Sequence, residues 1–395
     1  MAGEKIKEDE SRSTVREIML EFAKLSGLSP ARKAPRRYLW TDAFAVCNFL
    51  ELHGQTRDEE YKRLALRLVD QVHNILGRHR EDDPRTGWIS SLDEQEGKRH
   101  PTKGGLRIGK EMNERKPADP FDERLEWDRD GQYYHYLTKW MHALNRVSRV
   151  TGDSIHYTWA MELAKTAHAR FTYVPRSGGQ KRMFWKMSID LSYPLVPSMG
   201  QHDPLDGLIT YHELQATASR DGNKSGLDLH AEIEDMINIC KGKSWVTDDP
   251  LGIGGLLADA YKVAQLIHGE YFKETDLMEI LLGSSLPGLE SYARKNPLKL
   301  PADYRLAFRE LGLSVGLHAV ERLQGLVEKN PGLLNKKLPL HSRIESLMRY
   351  ISFSEKIEMF WLEKANQKAN SWTEHRDINM VMLATSLAPD GYLTL

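Results

Sequence analysis

The chain has 395 residues, room for one large core or for two or three smaller ones. Its 55 Lys and Arg stand against 56 Asp and Glu, a net charge of −1 that gives no bulk pull toward nucleic acid or an anionic membrane. No stretch approaches the roughly 20 apolar residues that span a bilayer. The charged first residues hold no apolar signal segment. Cys47 and Cys240 are too few for a disulfide framework or a four-thiolate zinc site, so reduced thiols and a cytoplasmic location are expected.

Taken in chain order, a short charged tail over residues 1–12 leads into helical spacing over 14–25, where Val15, Ile18, Met19, Phe22 and Leu25 share a face. An apolar helix starts near Asp42. Residues 58–76 follow, with Tyr61, Leu64, Leu68, Val72 and Ile75 on one side. The stripe Tyr133, Tyr136, Leu137, Trp140, Leu144 and Val147 predicts a helix that stops at Thr151-Gly152. Helices are also expected over 154–171, 205–218, 229–240, 251–272, 303–327, 342–364 and 377–387. No run alternates apolar and polar residues long enough for a sheet, so the chain reads as all-α. Two long irregular segments, 78–126 and 173–201, are of the length that functional loops have and are expected at the mouth of a pocket.

The helices alternate between two kinds. One kind starts after a cluster of Trp, Asp and His, such as Trp127-Asp128-Arg129-Asp130 or His202-Asp203-Pro204-Leu205-Asp206, and is apolar on most sides. Asp and a first-turn Pro are helix-start signals. The other kind is amphipathic with a charged face. Starts of the first kind fall near Asp42, Asp130, Asp206, Leu251, Asp303 and Asp377, which makes six inner helices. Outer helices follow near Asp58, Ser154, Leu229, Thr275 and Ser342, and the helix over 14–25 supplies the sixth.

This alternation, from about residue 14 to 387, resembles the (α/α)6 toroid of six-hairpin glycosidases and the related sugar epimerases. The resemblance implies a single toroid domain over 1–395, with the N-terminal helix beside the last inner one. It also implies that the inner-helix starts open on one face. Trp40, Asp42, Trp127, Asp128, Asp130, His202, Asp206, Trp245, Asp249 and His375 would then line one funnel.

Asp128 and Asp130, flanked by Trp127 and Tyr133, are the first candidates for general acid, with simple helix capping as the alternative. Packed helices lie about 8–10 Å apart, so carboxylates on neighbouring inner helices reach the roughly 6.5–9.5 Å separation of an inverting glycosidase. Asp206 and Asp42 are the candidate partners of Asp130. Trp372, His375 and Arg376 gather an aromatic platform, a histidine and a cation, and His135 and Tyr133 join the substrate contacts. His202-Asp203 with His135 and His142 suggests a metal centre, but no remote ligand follows; no metal and no cofactor are expected. The basic Gly-rich run 98–110 reads as a solvated loop or an anion clamp. Gly252 to Gly255 follows no strand, so close helix packing explains it better than a dinucleotide fingerprint. A glycoside hydrolase acting on a carbohydrate substrate is the leading expectation, without nucleic-acid or membrane partners. A sugar epimerase or isomerase using histidines in the same funnel is the alternative enzyme, and a non-catalytic glycan- or protein-binding toroid the alternative outside catalysis.

Overall fold

Apolar residues three and four apart become helices almost everywhere the spacing asks for them. The computed structural model describes residues 2–32, 35–220, 222, 226–272, 275–333 and 338–395, without the side chains of residues 2–10, 275 and 338. The first helix, α1 (Ala2–Leu25), takes in the residues expected as a charged tail. Two compact units follow from the chain path: a central one (24–53 and 57–242) and a terminal one (1–23, 54–56 and 243–395).

The central unit begins with α2 (Leu39–Thr56), in which every side chain from Leu39 to Leu50 is buried. By contrast α3 (Glu59–Leu76) buries one stripe, Tyr61, Leu64, Leu68, Val72 and Leu76, and Asp58 caps its start by accepting from Glu60 N–H. This is the inner and outer distinction read from composition. Two short helices, α4 (Glu94–Arg99) and α5 (Glu123–Asp128), lie within the first long irregular segment. Strand β1 (Gln132–Tyr133) then leads directly into α6 (Tyr134–Thr151). Gly152 ends α6 in the left-handed conformation (φ 76°), which its missing Cβ permits. After α7 (Ser154–Phe171) come β2 (Thr172–Tyr173), β3 (Arg182–Met183), β4 (Lys186–Met187) and β5 (Pro194–Val196). These make two small antiparallel sheets, β1-β4-β5 and β2-β3. Helices α8 (Asp203–Arg220) and α9 (His230–Cys240) complete the unit.

Some of the polar ties between the helices are buried. Trp140 Nε1 on α6 donates to His73 Nε2 on α3 at 3.1 Å, so that nitrogen carries no proton, and burial holds His73 down to about 3. Glu213 on α8 receives His142 Nδ1 (2.9 Å) and Asn145 Nδ2 (2.8 Å) from α6. The run 98–110 is not a solvated loop. Leu106 and Ile108 are fully buried, Leu39 N–H donates to Ile108 O, and Ile108 N–H donates to Gly131 O. The segment threads the unit as a strap because its apolar residues and backbone bonds are worth more inside than in water. At Gly109 (φ 95°) a Cβ would lie 2.2 Å from Arg37 O, so only glycine fits there.

In the terminal unit α10 (Pro250–His268) and α12 (Ala307–Lys329) cross with backbones touching. A Cβ at Gly254 would sit 2.0 Å from Gly312 O, which is the close packing expected of the Gly252 to Gly255 run. Helix α11 (Thr275–Lys295) follows α10. The helix expected from residue 303 starts at Ala307, because a 3-10 turn (Ala302–Tyr304) precedes it and Asp303 accepts from Asn370 N–H instead of capping. The single helix expected over 342–364 is two, α13 (Leu338–Met348) and α14 (Ser352–Leu362), parted by a turn with Tyr350 N–H donating to Leu347 O. Short α15 (Asn370–Thr373), then α16 (Arg376–Leu387) and α17 (Asp390–Leu393), end the chain. Ser11 Oγ on α1 donates to Leu387 O at 3.2 Å, so the N-terminal helix lies beside the last inner helix, as expected. His318 on α12 donates from both ring nitrogens, to Glu321 Oε2 (2.8 Å) and to Glu358 Oε1 of α14 (2.7 Å), and Ser386 Oγ of α16 bonds the same Glu358 oxygen.

Among the described residues the helices order themselves as α2/α3, α6/α7 and α8/α9 in one unit, and as α10/α11, α12 with α13 and α14, and α16 with α1 in the other. Among the described residues the fold is all-α apart from the two small sheets. No helix is long and apolar enough to cross a membrane.

Candidate functional site

The start of α6 is set by a strand and not by an aspartate. Trp127 and Asp128 end α5, and Asp130 lies four residues before α6, not in its first turn. This corrects its expected place. A run of Trp and Asp that looks like a helix start here closes one helix and feeds a strand.

Asp130 is 0% exposed and wholly engaged. Its Oδ2 receives Arg107 Nη1 at 2.6 Å and Arg80 Nη1 at 3.4 Å. Its Oδ1 receives the N–H groups of Gly109 and Gly131, each at 3.0 Å. A carboxylate so held is an anchor between the strap and β1, and a substrate oxygen has no approach to it. Asp42 is also buried: Oδ2 accepts from Tyr38 N–H at 2.9 Å and Oδ1 lies 3.4 Å from Arg37 Nη1. Asp206 faces Lys139 Nζ at 3.0 Å. Asp128 is exposed at the end of α5. Asp42, Asp130 and Asp206 are thus each tied to a cation of the protein.

What gathers instead at the starts of α2, α6 and α8 is an aromatic cluster. Tyr38 and Tyr136 share a 2.6 Å hydrogen bond between their hydroxyls. The Tyr136 ring lies 5.2 Å from Tyr133 and 4.9 Å from His135, and Trp185 packs 5.4 Å from Tyr133. Trp127, 49% exposed, stands edge-on to Trp185 at 5.1 Å. Burial raises the Tyr38 hydroxyl to about 12, so it stays a donor.

Charged groups border these rings. His135 Nδ1 lies 3.5 Å from Asp203 Oδ1 in the first turn of α8, and neither that nitrogen nor Asp203 Oδ2 has a hydrogen-bond partner among the described residues. Lys186 is fully buried and donates to Glu126 O (2.6 Å), Arg129 O (2.8 Å) and Glu126 Oε1 (3.3 Å); burial pushes it down to about 8. Lys110, half-buried on the strap, stands 5.5 Å from the centre of the Tyr38 ring, and burial lowers its pKa.

The other expected residues fall as follows. Tyr133 and His135 belong to the cluster, and Trp127 reaches it through Trp185. Trp40 is buried against Phe44 at 4.4 Å and is a packing residue. His202, half-buried, accepts Asp206 N–H on its carbonyl at the start of α8. His142, read beside His202 for metal, is taken up by Glu213. Within the terminal unit, Trp245 is buried. Asp249 caps α10 through Gly252 N–H and pairs with Arg309 at 2.7 Å. Trp372, expected as a platform, is 3% exposed and stacked on Trp361, so it packs the interior. His375 lies edge-on to Phe308, and Arg376 is exposed with Nε 3.7 Å from Asp377 Oδ1.

Sequence reasoning did not single out Tyr38, Tyr136, Trp185, Lys110 or Asp203 as a group. Tyr136 sat in the helical stripe and Asp203 beside His202, while Trp185 lies in an irregular stretch where no periodicity marks it.

No protein-family model matches the chain, and no curated protein matches its sequence. Solved structures similar to it include a sugar epimerase from a ruminal bacterium, with 9% identity, 80% of this chain and 75% of that one covered, and a TM-score of 0.42. Cellobiose 2-epimerase from Spirochaeta thermophila is 14% identical over 86% of each chain, with a TM-score of 0.46. Cellobiose 2-epimerase from Bacillus thermoamylovorans is 12% identical over 87% of each chain, with a TM-score of 0.48.

Proposed function

We propose that this chain is a carbohydrate-active enzyme whose site lies in the aromatic cluster at the starts of α2, α6 and α8. We further propose that it moves a proton beside a sugar carbonyl, as an epimerase or isomerase does, and does not cleave a glycosidic bond. One observation carries the choice: Asp42, Asp130 and Asp206 are each paired with a protein cation, whereas His135 Nδ1, facing Asp203 at 3.5 Å, has no hydrogen bond among the described residues. An inverting hydrolase needs two carboxylates facing the substrate, one of them protonated. Proton transfer at a carbon next to a carbonyl needs one group that accepts and returns a proton, and an imidazole is suited to that.

In this reading His135 is the base. Asp203, 3.5 Å away, orients the ring and stabilises it once protonated. Of the hydrogen-bonded Tyr38 and Tyr136 hydroxyls one donates to the other, which leaves the pair a single O–H for the sugar carbonyl or a hydroxyl, and Tyr133, Trp185 and Trp127 offer ring faces with polar edges to the apolar side of a pyranose.

Incubation of the full chain with aldoses and glycosides in D2O, followed by proton NMR, tests this. The expected outcome is loss of the signal of the proton beside the carbonyl together with a second sugar, without release of an aglycone. His135→Asn should slow the exchange by about 10²–10⁴, the usual worth of a proton-transfer group, with helix content unchanged. Release of reducing sugar from a glycoside, without exchange, would assign a hydrolase.

A further inference from the structure

We infer that the ligand of this aromatic site is an anionic carbohydrate, one bearing a carboxylate or a phosphate, and that Lys110 is the group that receives its charge. The ligand class rests on the carbohydrate reading of the site and narrows it.

The inference comes from the pairing of the cations around the rings. Arg107 is held by Asp130 at 2.6 Å, Arg80 by Asp82 at 2.6 Å, Arg115 by Glu126 at 2.8 Å, Lys186 by Glu126 at 3.3 Å, and Lys139 by Asp206 at 3.0 Å. Lys110 differs. Among the described residues its ammonium has no hydrogen bond and no carboxylate within 4.0 Å, and it stands over the face of Tyr38. Asp128 and Asp130 act on it only at longer range. Asp130 is already saturated by two guanidinium groups and two backbone N–H groups, so it cannot swing over to pair.

A half-buried ammonium without a partner has given up part of its hydration for nothing in return, and the depressed basicity of Lys110 is the sign of it. Such a group gains most from an incoming anion, since the desolvation is already done and the attraction acts across a partly dry wall. The position is also held firmly. Lys110 O accepts Arg80 Nη1 at 2.5 Å and Gly109 N–H is tied to Asp130, so the backbone under the lysine is fixed on both sides. Through Tyr38 the ammonium neighbours Tyr136, and through Tyr136 it neighbours His135. A sugar lying against these rings would carry its charged substituent at the Lys110 end and its reacting carbon at the His135 end.

Isothermal titration of the full chain with matched sugars tests this. The probes are glucose, galactose and mannose, their uronic acids, their 6-phosphates, and inorganic phosphate alone. An acid or a phosphate of at least one sugar is expected to bind at least tenfold tighter than its neutral parent, with affinity falling as salt is added. Which of the two anions binds identifies the substituent. Lys110→Met should bring the anionic and neutral forms to parity with an unchanged melting temperature, and Lys110→Arg should keep most of the preference. Equal binding of neutral and anionic sugars, or a preference that survives Lys110→Met, would overturn the inference and leave the carbohydrate reading standing. Inorganic phosphate binding as tightly as a sugar phosphate would also overturn it. No binding by any sugar on the panel would remove the carbohydrate reading and the inference with it.

Discussion

Replacing Asp130 by asparagine separates a structural anchor from a catalytic acid. The substitution keeps the shape and removes the charge. Arg80 loses little, because it still has Asp82 at 2.6 Å and the carbonyls of Lys110 and Glu111. Arg107 loses more. Its Nε and Nη2 bond only carbonyls, Arg78 O and Ile75 O, and Asp130 is the one carboxylate within ion-pair distance of it among the described residues. With its side chain 8% exposed, the guanidinium becomes a buried charge without a counter-charge. Breaking a buried pair from one side costs about 3–5 kcal/mol, or two to nearly four powers of ten in the folding equilibrium. The asparagine NH2 must also face donors, either the Gly109 and Gly131 N–H groups together or the two guanidinium groups, which adds to the loss. Urea unfolding followed by tryptophan fluorescence should show this drop for Asp130→Asn. Asp130→Asn with Arg107→Met should cost less than the two single changes summed, by about 0.5–3 kcal/mol, since the orphaned charge is gone. An Asp130→Asn protein as stable as the parent but without turnover would refute the anchor and restore the acid.

Two further outcomes follow from the terminal unit. Burial opposes charge on His318, but the hydrogen bonds to Glu321 and Glu358 outweigh it and raise the imidazole to about 9, above an ordinary value near 6.5. Its contribution of about 3 kcal/mol is therefore full below pH 6.5 and lost as pH rises through 9; urea midpoints at pH 6 and pH 10 should diverge for the parent and run parallel for His318→Asn. Gly254→Val should lower the melting temperature sharply, by more than the 1–3 kcal/mol usual for overpacking, because backbone and not a flexible side chain blocks the Cβ. At Gly255, where nothing lies within 4 Å, alanine should be neutral or stabilising by up to about 1 kcal/mol; equal losses at both positions would contradict the crossing.

The helices were legible because one-dimensional spacing carries them. Leu68 and Val72 mark a buried stripe whatever they pack on, and Asp58 and Gly152 act on backbone groups within a few residues of themselves. The site was only half legible. Tyr133, His135 and Trp127 stand where helix starts draw attention. Asp130 misled, since an aspartate that caps and one that anchors an arginine 23 residues away look alike in sequence. Trp372 misled too: whether a tryptophan faces a ligand or Trp361 is decided by a partner with no fixed spacing. Lys110 and Trp185 lie in segments whose order comes from long-range backbone bonds, which leave no period to read.

The strap over 98–110 gives the protein a division of labour. Arg107 and Lys110 belong to a connection, whereas Tyr136 and His135 belong to a helix. The charge a ligand meets is therefore written at a single position of a connection whose other residues hold the frame together. Lineages that inherit the helices can exchange residue 110 and acquire a new preference without rebuilding the reacting end. For the same reason, homologues sorted by their helices would group together proteins that differ in what they take up, and residue 110 would tell them apart.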